Sequence, residues 1–373
     1  MASGPNYATT ELLEGLGDAP RGTDAVWRRR RMWASIWRRL TRWEYWPIWA
    51  IYPPVVVYLF WLSLRHRSLT VFTAVNPGMP AASGLVGMSK SMILAGLAGA
   101  GDSIATWSVI PPGKFPQRNA ALRLFMADQG LQFPIVLKPD RGERGEGVVI
   151  ARDTFASENV LRDCKGPLVA QAYIPGVEFG VFYLRRPKDT RGEVFSITQK
   201  QDVSVVGDGR STLEELILRD DRAIGMARFF LNKFEERLAE VPEVGASVRL
   251  SELGTHCLGA LFLDGTGLNT SRLEQAIEAV SRTYRGFHFG RYDVRAESVD
   301  AFQRGEFKVI ELNGVTSEAT SMYDPKHSVW FGWRTLCEQW RIAFEIGAAN
   351  RGNGARVWSV RELWNLLQEH RAA

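Results

Sequence analysis

The chain has 373 residues, 45% of them apolar and 23% charged, with a net charge of +5. This is ample for a hydrophobic core and leaves room for two or three domains or lobes. Its three cysteines, Cys164, Cys257 and Cys337, lie far apart without a CxxC pair. That sets aside a disulfide scaffold, argues against a zinc site and suits a reducing compartment.

Residues 1–26 mix Gly, Pro, Asp, Ser and Thr without periodicity and read as a mobile tail. No signal-peptide pattern is expected, because the first apolar run begins only after residue 44. Residues 28–42 hold seven Arg and no acid. Such a local excess points to an anionic partner there, not to a nucleic-acid surface over the whole chain. Trp33, Ile36, Trp37, Leu40 and Trp43 recur at helical spacing between Arg30, Arg31, Arg38, Arg39 and Arg42. The pattern is a basic amphipathic helix suited to a bilayer interface, or a surface helix docked on the protein's own domain. Residues 45–64 carry no charged side chain, enough in length to span a bilayer at about 1.5 Å per residue. Pro53-Pro54 breaks that run, and the Arg cluster before it outweighs Arg65 and Arg67 after it, so the positive-inside rule keeps the N-terminus cytoplasmic. The expectation is an interfacial or re-entrant segment on the cytoplasmic face, with a buried core helix as the alternative.

From residue 68 the texture is mixed α/β. Strands are expected at 69–75, 104–110, 134–140, 147–153, 167–174, 178–186, 195–201, 291–297 and 307–313. Helices are expected at 89–101, 119–130, 211–220, 222–239 and 271–285, with a helical C-terminus.

Three stretches carry chemistry. A strand delivers Lys138 into a loop with Gly142, Arg144, Gly145 and Gly147, then a second strand follows. Glycines let backbone N–H groups approach phosphate oxygens, and the lysine adds a point charge. Next, Gln171-Ala-Tyr173 leads through Ile-Pro-Gly-Val to Glu178, a hinge whose backbone can read a base edge and whose carboxylate can hold ribose hydroxyls. Finally, Arg291-Tyr-Asp293 and Glu311-Leu-Asn313 end two strands with oxygen ligands of the kind Mg²⁺ prefers.

In this order the stretches resemble the ATP-grasp superfamily, in its D-alanine–D-alanine ligase, glutathione synthetase and cyanophycin synthetase branches, over roughly residues 70–325. Val-Val-Gly207-Asp-Gly209-Arg-Ser-Thr-Leu-Glu-Glu-Leu is similar to a stretch of the last two. The resemblance implies an α/β (α+β) ATP-grasp fold, and the basic helix and uncharged run put a helical, membrane-associated segment before it. Its divisions would be a tail at 1–26, a membrane segment at 27–67, a pre-grasp region at 68–116 and a nucleotide lid at 117–186. A catalytic lobe at 187–330 and C-terminal helices at 331–373 would follow.

It also implies site roles. Lys138 and Lys90 would reach phosphates, with Lys114 as a rival to Lys90; Gln171 and Tyr173 would meet adenine, and Glu178 the ribose. Gln171 departs from the Glu found in many relatives. Asp293, Glu311 and Asn313 would hold Mg²⁺ or Mn²⁺, Arg291 the tetrahedral intermediate, and Lys200 the transferred phosphate. The implied activity is an ATP-dependent carboxylate–amine or carboxylate–thiol ligation through an acyl phosphate, at an anionic membrane surface. The alternatives are a phosphotransferase that stops before ligation and a degenerate membrane scaffold. His256 is a candidate substrate contact or a structural residue. Ser317 and Glu318 follow Asn313 where the D-alanine ligase branch has a Gly-containing turn. A Glu there can receive an amine and disfavours D-alanine itself as substrate.

Overall fold

The computed structural model describes residues 25–142, 145–251 and 260–372. Arg144 and His256 therefore lie outside the described residues. The strands among the described residues are β1 Trp107–Ile110, β2 Ile135–Pro139, β3 Val149–Ala151, β4 Leu168–Ala172, β5 Val177–Leu184 and β6 Glu193–Gln201. They continue with β7 Ser204–Val206, β8 Ser247–Arg249, β9 Leu261–Asp264, β10 Phe289–Ala296 and β11 Lys308–Asn313. The chain divides into two compact units, one drawn from Met1–Thr41 and Val203–Leu250, the other from Arg42–Asp202 and Ser251–Ala373. This differs from a strictly linear division, because an N-terminal helix joins a segment far along the chain.

In the larger unit, an antiparallel sheet of order β1-β4-β2-β3 packs against helices Phe115–Asp128 and Thr154–Asp163. Ile110, Leu122, Ile135, Leu137, Leu161 and Leu168 close that interface. A second antiparallel sheet has the order β11-β10-β5-β6-β9. Successive side chains of a strand face opposite ways. Phe179, Val181, Tyr183, Ile197, Tyr292, Val294 and Leu312 are therefore buried on one face, against Leu273, Ile277 and Val280 of helix Ser271–Thr283. The alternate residues put Glu178, Gly180, Lys200, Arg291, Asp293 and Glu311 on the other face.

Residues 45–64 form two helices, α2 Ile48–Ile51 and α3 Pro53–Arg65, following α1 Ala25–Thr41 of the smaller unit. Pro53 and Pro54 sit in the first turn of α3, where a missing N–H costs no bond, so they start a helix as well as ending one. One side of the segment is core. Ile51 and Val55 pack with Met322 and Leu336, and Leu62 packs with Val71 and Phe344 of the long helix Val329–Gly352. Leu62 is fully buried, so Leu62→Ala is expected to cost about 2–5 kcal/mol, read as a lower midpoint in denaturant at unchanged slope. The other side keeps Trp49, Val56, Val57, Phe60, Trp61 and Leu64 exposed, with Val57 72% accessible. No helix among the described residues is long and apolar enough to cross a membrane.

Two expected elements differ. Val71–Ala74 is a 3₁₀ turn, not a strand, and Val71, Thr73, Ala74, Val75 and Asn76 are buried in a near-continuous run. The turn lies so close to the long helix that a Cβ on Gly347 would fall 2.2 Å from the Val71 carbonyl oxygen. The expected helix at 222–239 is broken into 3₁₀ turns at Ala223–Met226 and Glu235–Arg237 around a helix at Ala227–Lys233.

In the smaller unit, β7 and β8 form a ribbon, and Val205, Leu213, Ile217, Phe230 and Leu250 form a core. Thr212 and Glu215 make a capping box at helix Leu213–Arg219. Asp208 accepts from the Ser211 and Arg210 amides and from the Ser211 hydroxyl. Partial burial pushes the Asp208 carboxyl up, but these bonds outweigh it and hold the pKa down at about 2. Helix α1 packs Trp27 and Met32 on this core. Arg28 pairs with Glu214 at 2.5 Å, Arg31 donates to the Leu218 carbonyl at 2.7 Å, and Arg38 pairs with Asp221 at 2.7 Å. The docked face is thus largely basic, while Trp33, Ile36, Trp37 and Leu40 remain exposed.

Candidate active site

Strand β2 carries Lys138 to the edge of the first sheet. Its ammonium donates to Gln171 Oε1 on β4 at 2.8 Å and to the Ile310 carbonyl on β11 at 3.0 Å. One side chain thereby ties the two sheets of the larger unit. Lys138 is 6% exposed, and among the described residues it has no carboxylate within ion-pairing distance. Burial pushes its pKa down, with Glu311 pulling the other way. Gln171, 2% exposed, spends its carbonyl on Lys138 and leaves its buried Nε2 without an acceptor.

The loop after β2 is fixed to helix Lys90–Gly96. The Lys90 amide donates to the Asp140 carbonyl, and the Ser91 amide to Asp140 Oδ1 at 2.8 Å. Ser89 caps that helix by accepting from the Met92 amide. Lys90 Nζ donates to the Pro139 carbonyl at 3.0 Å and the Gly142 carbonyl at 2.9 Å. Lys114, the rival, is exposed at the cap of a different helix. Gly145 and Gly147 both have positive φ, and a Cβ on Gly147 would sit 2.7 Å from Pro139, so that position requires glycine.

On the polar face of the five-stranded sheet, register does the assembly. Glu178 lies opposite Lys200, Gly180 opposite Asp293, and Asp293 opposite Glu311. Lys200 Nζ sits 2.8 Å from Glu178 Oε1 and 3.1 Å from Asp293 Oδ1. Arg291 Nε donates to Asp293 Oδ1 at 3.0 Å, and Nη1 donates to the Glu318 carbonyl at 3.3 Å. Burial alone would lower the pKa of Lys200, but Asp293 and Glu178 outweigh it and the ammonium is held charged. Burial would likewise raise Asp293, and Arg291 with Lys200 holds it below the usual carboxylate range. Tyr173 stacks under the Arg295 guanidinium at 5.5 Å. A cavity of about 360 Å³ opens beside this cluster, lined by Glu178, Lys200, Gln199, Asp202 and Arg295 among others.

The donor set bears on a metal. Glu311 and Asn313 share a strand face, and neither side chain has a hydrogen-bond or ion-pair partner among the described residues. A carboxylate and an amide oxygen left unengaged together suit a hard cation that keeps water and phosphate in its other positions. Asp293 is instead engaged by two cationic side chains. Among the described residues, no group of three or more His, Cys, Asp or Glu side chains is gathered as a metal site. The fit to Mg²⁺ therefore rests on Glu311 and Asn313, with Asp293 within reach across the register.

Glu318, which the sequence places in the wall just after Asn313, also joins the site. Glu318 Oε1 accepts from the Tyr52 hydroxyl at 2.5 Å, and Oε2 accepts from the Tyr323 hydroxyl at 2.8 Å. Neither tyrosine is suggested by any local motif.

No protein-family profile matches the chain, and no curated protein matches it in sequence. Among solved structures it is similar to several ligases and synthetases. D-alanine–D-alanine ligase from Bacillus anthracis aligns at 16% identity over 72% of this chain and 70% of that one, with a TM-score of 0.40. A bifunctional glutathione synthetase from Pasteurella multocida aligns at 16% identity over 63% of this chain, with a TM-score of 0.36. The match spans only 33% of that synthetase. The D-cycloserine synthetase DcsG aligns at 15% identity over 68% of this chain and 70% of its own, with a TM-score of 0.40.

Proposed function

We propose that the chain is an ATP-dependent ligase that joins a carboxylate to an amine or thiol through an acyl phosphate. The observation that carries this reading is one polar sheet face where Lys138, Lys200 and Arg291 converge with Asp293, Glu311 and Asn313. A carboxylate is a poor electrophile. In the first step its oxygen bonds to the γ-phosphorus of ATP, the β–γ bridging bond breaks, and ADP leaves with the electron pair. In the second, a neutral amine or thiolate bonds to the acyl carbon, the carbon–oxygen bond to phosphate breaks, and inorganic phosphate leaves. The amine's surplus proton passes to phosphate or solvent.

Phosphoryl transfer needs positioning and neutralisation of oxygen charge. Lys138 and Lys90 stand at the glycine loop to meet phosphate oxygens. Lys200 is buried and charged beside the same face, placed for the transferred group. Arg291 is held in line by Asp293 and can offer its Nη atoms to an oxyanion at the acyl carbon. Glu311 and Asn313 would hold Mg²⁺, which supplies charge neutralisation at the phosphates when bound. The orphaned Gln171 Nε2 awaits an acceptor, which a purine ring nitrogen provides.

Lys138→Ala is expected to weaken ATP binding by about 1.5–3 kcal/mol, roughly 10- to 150-fold, in a nucleotide titration. An unchanged ATP affinity would count against this placement of the nucleotide.

The same reading places the enzyme on the cytoplasmic face of a membrane, where ATP is. Its support is the exposed apolar side of α2 and α3, flanked by Arg65 and Arg67, and the exposed Trp33, Ile36, Trp37 and Leu40 of α1. Tryptophan with arginine suits the headgroup region.

A further inference from the structure

Lys200 holds two carboxylates that the ligase reading needs for other partners. Its ammonium lies 2.8 Å from Glu178 Oε1 and 3.1 Å from Asp293 Oδ1. All three side chains are withdrawn from water, that of Lys200 being 5% exposed and that of Asp293 7%. Asp293 carries a second cation. Arg291 donates to its Oδ1 from Nε at 3.0 Å and to its Oδ2 from Nη2 at 3.4 Å. Both oxygens of Asp293 are therefore engaged by the chain's own side chains.

The buried charges balance, Lys200 and Arg291 against Glu178 and Asp293. Glu311 acts on Lys138 in the same sense, from beyond contact. A divalent cation that enters this face alone meets no excess of negative charge. Its unengaged protein donors are Glu311 and Asn313, one carboxylate and one amide. That is a weak site for Mg²⁺, which dehydrates reluctantly and is normally held with the help of phosphates. An ammonium between two buried carboxylates already supplies the neutralisation that burial demands. Lys200 and a metal thus compete for Asp293.

We propose that Lys200 is a placeholder cation: without nucleotide it withholds Asp293 from the metal and Glu178 from the ribose, so the metal loads with the nucleotide and not before it. This rests on the ligase reading above, which gives Glu178, Asp293 and Glu311 those partners. A phosphate that draws the ammonium away frees both carboxylates together, and Arg291 stays behind as the counter-charge of Asp293. The negative charge that arrives with the nucleotide is what makes room for a divalent cation. Lys200 therefore acts on metal binding as a positioning residue, through Asp293 and without touching the metal.

The test uses the full chain titrated with Mn²⁺, with the free ion read by paramagnetic resonance. Each protein is measured without nucleotide and again with a non-hydrolysable ATP analogue kept protein-bound by excess protein. Without nucleotide, Lys200→Met is expected to bind Mn²⁺ at least about tenfold more tightly than wild type, and Lys200→Arg as weakly as wild type. Asp293→Asn should leave nucleotide-free Mn²⁺ affinity unchanged, yet lower it by about tenfold or more once the analogue is bound. Unchanged or weaker Mn²⁺ binding by Lys200→Met overturns the proposal. So does an Asp293→Asn variant that loses Mn²⁺ affinity without nucleotide, because Asp293 would then be open from the start. Loss in neither state overturns it too, because Lys200 would then never let go. Failure of wild type to bind the analogue would instead sink the ligase reading, while the nucleotide-free comparison of Lys200→Met still stands. Should Lys200→Met fail to fold, the two measurements on Asp293→Asn decide by themselves.

Discussion

Glu311→Gln is expected to cut ADP release by about 10²–10³-fold while leaving the fold about as stable as wild type. The second half of that expectation comes from the register. Glu311 lies directly across from Asp293, and like charges directly opposite on a sheet repel. Asp293 is neutralised by Lys200 and Arg291, but Glu311 has no such partner among the described residues. Removing its charge relieves that repulsion but also takes from buried Lys138 the carboxylate that pulls its pKa up, so the two effects oppose each other. The first half comes from chemistry. A neutral amide is a poor ligand for Mg²⁺, and losing electrostatic support at a phosphoryl group costs on the order of 10²–10³ in rate. The measurement is ADP release from a pool of small carboxylates and amines, beside a thermal melt of each protein. Release at the wild-type rate would remove Glu311 from the metal assignment. Loss of release with a lowered melting point would mean that the side chain holds the fold.

Much of the site was legible because it lies in strands whose ends announce themselves. Arg291 and Asp293 stand two apart in one strand and Glu311 and Asn313 two apart in the next, so a period of two was enough to put each pair on one face. The pairing of Glu178 with Lys200 was not legible, since it depends on the register of β5 against β6. Nor was the seating of Lys90 beside the glycine loop, which depends on Asp140 gripping the start of its helix. The clamp on Glu318 joins residues 266 positions apart through Tyr52, and no local pattern encodes such a contact. The run at 45–64 was ambiguous for a different reason. Its lack of charge suits lipid and core alike, and only packing reveals that Val55 and Leu62 face the long helix while Val57 and Trp61 do not. For 69–75, β-branched residues suggested a strand, but close approach to Gly347 favours a tight turn.

Charging the exposed side of α3 is expected to weaken binding to anionic membranes without unfolding the protein. Val57 and Trp61 are 72% and 48% accessible, so Asp at both positions touches little of the core. Their buried neighbours Val55 and Leu62 remain to hold α3 in place. From Ile48 to Leu64 the chain offers no charged side chain, and Arg65 and Arg67 follow at once. A face of that kind gains by entering the headgroup boundary, while the arginines are drawn to anionic lipid by about 1 kcal/mol each. Helix α1 carries a second such surface on the other unit, where Arg28, Arg31 and Arg38 are spent on Glu214, Asp221 and backbone carbonyls while Arg29, Arg30 and Arg39 stay exposed. Its exposed side therefore mixes basic with aromatic and aliphatic side chains, the composition of a helix suited to the headgroup region. Stable attachment generally needs two signals, so Val57→Asp with Trp61→Asp should reduce co-sedimentation with phosphatidylserine vesicles, and adding Trp33→Asp with Trp37→Asp should abolish it. Raised salt should weaken wild-type binding but not eliminate it, because the apolar part is not screened. Quantitative co-sedimentation of the quadruple variant, or no binding by wild type, would remove the membrane from this protein's biology and leave the exposed face of α3 to a protein partner.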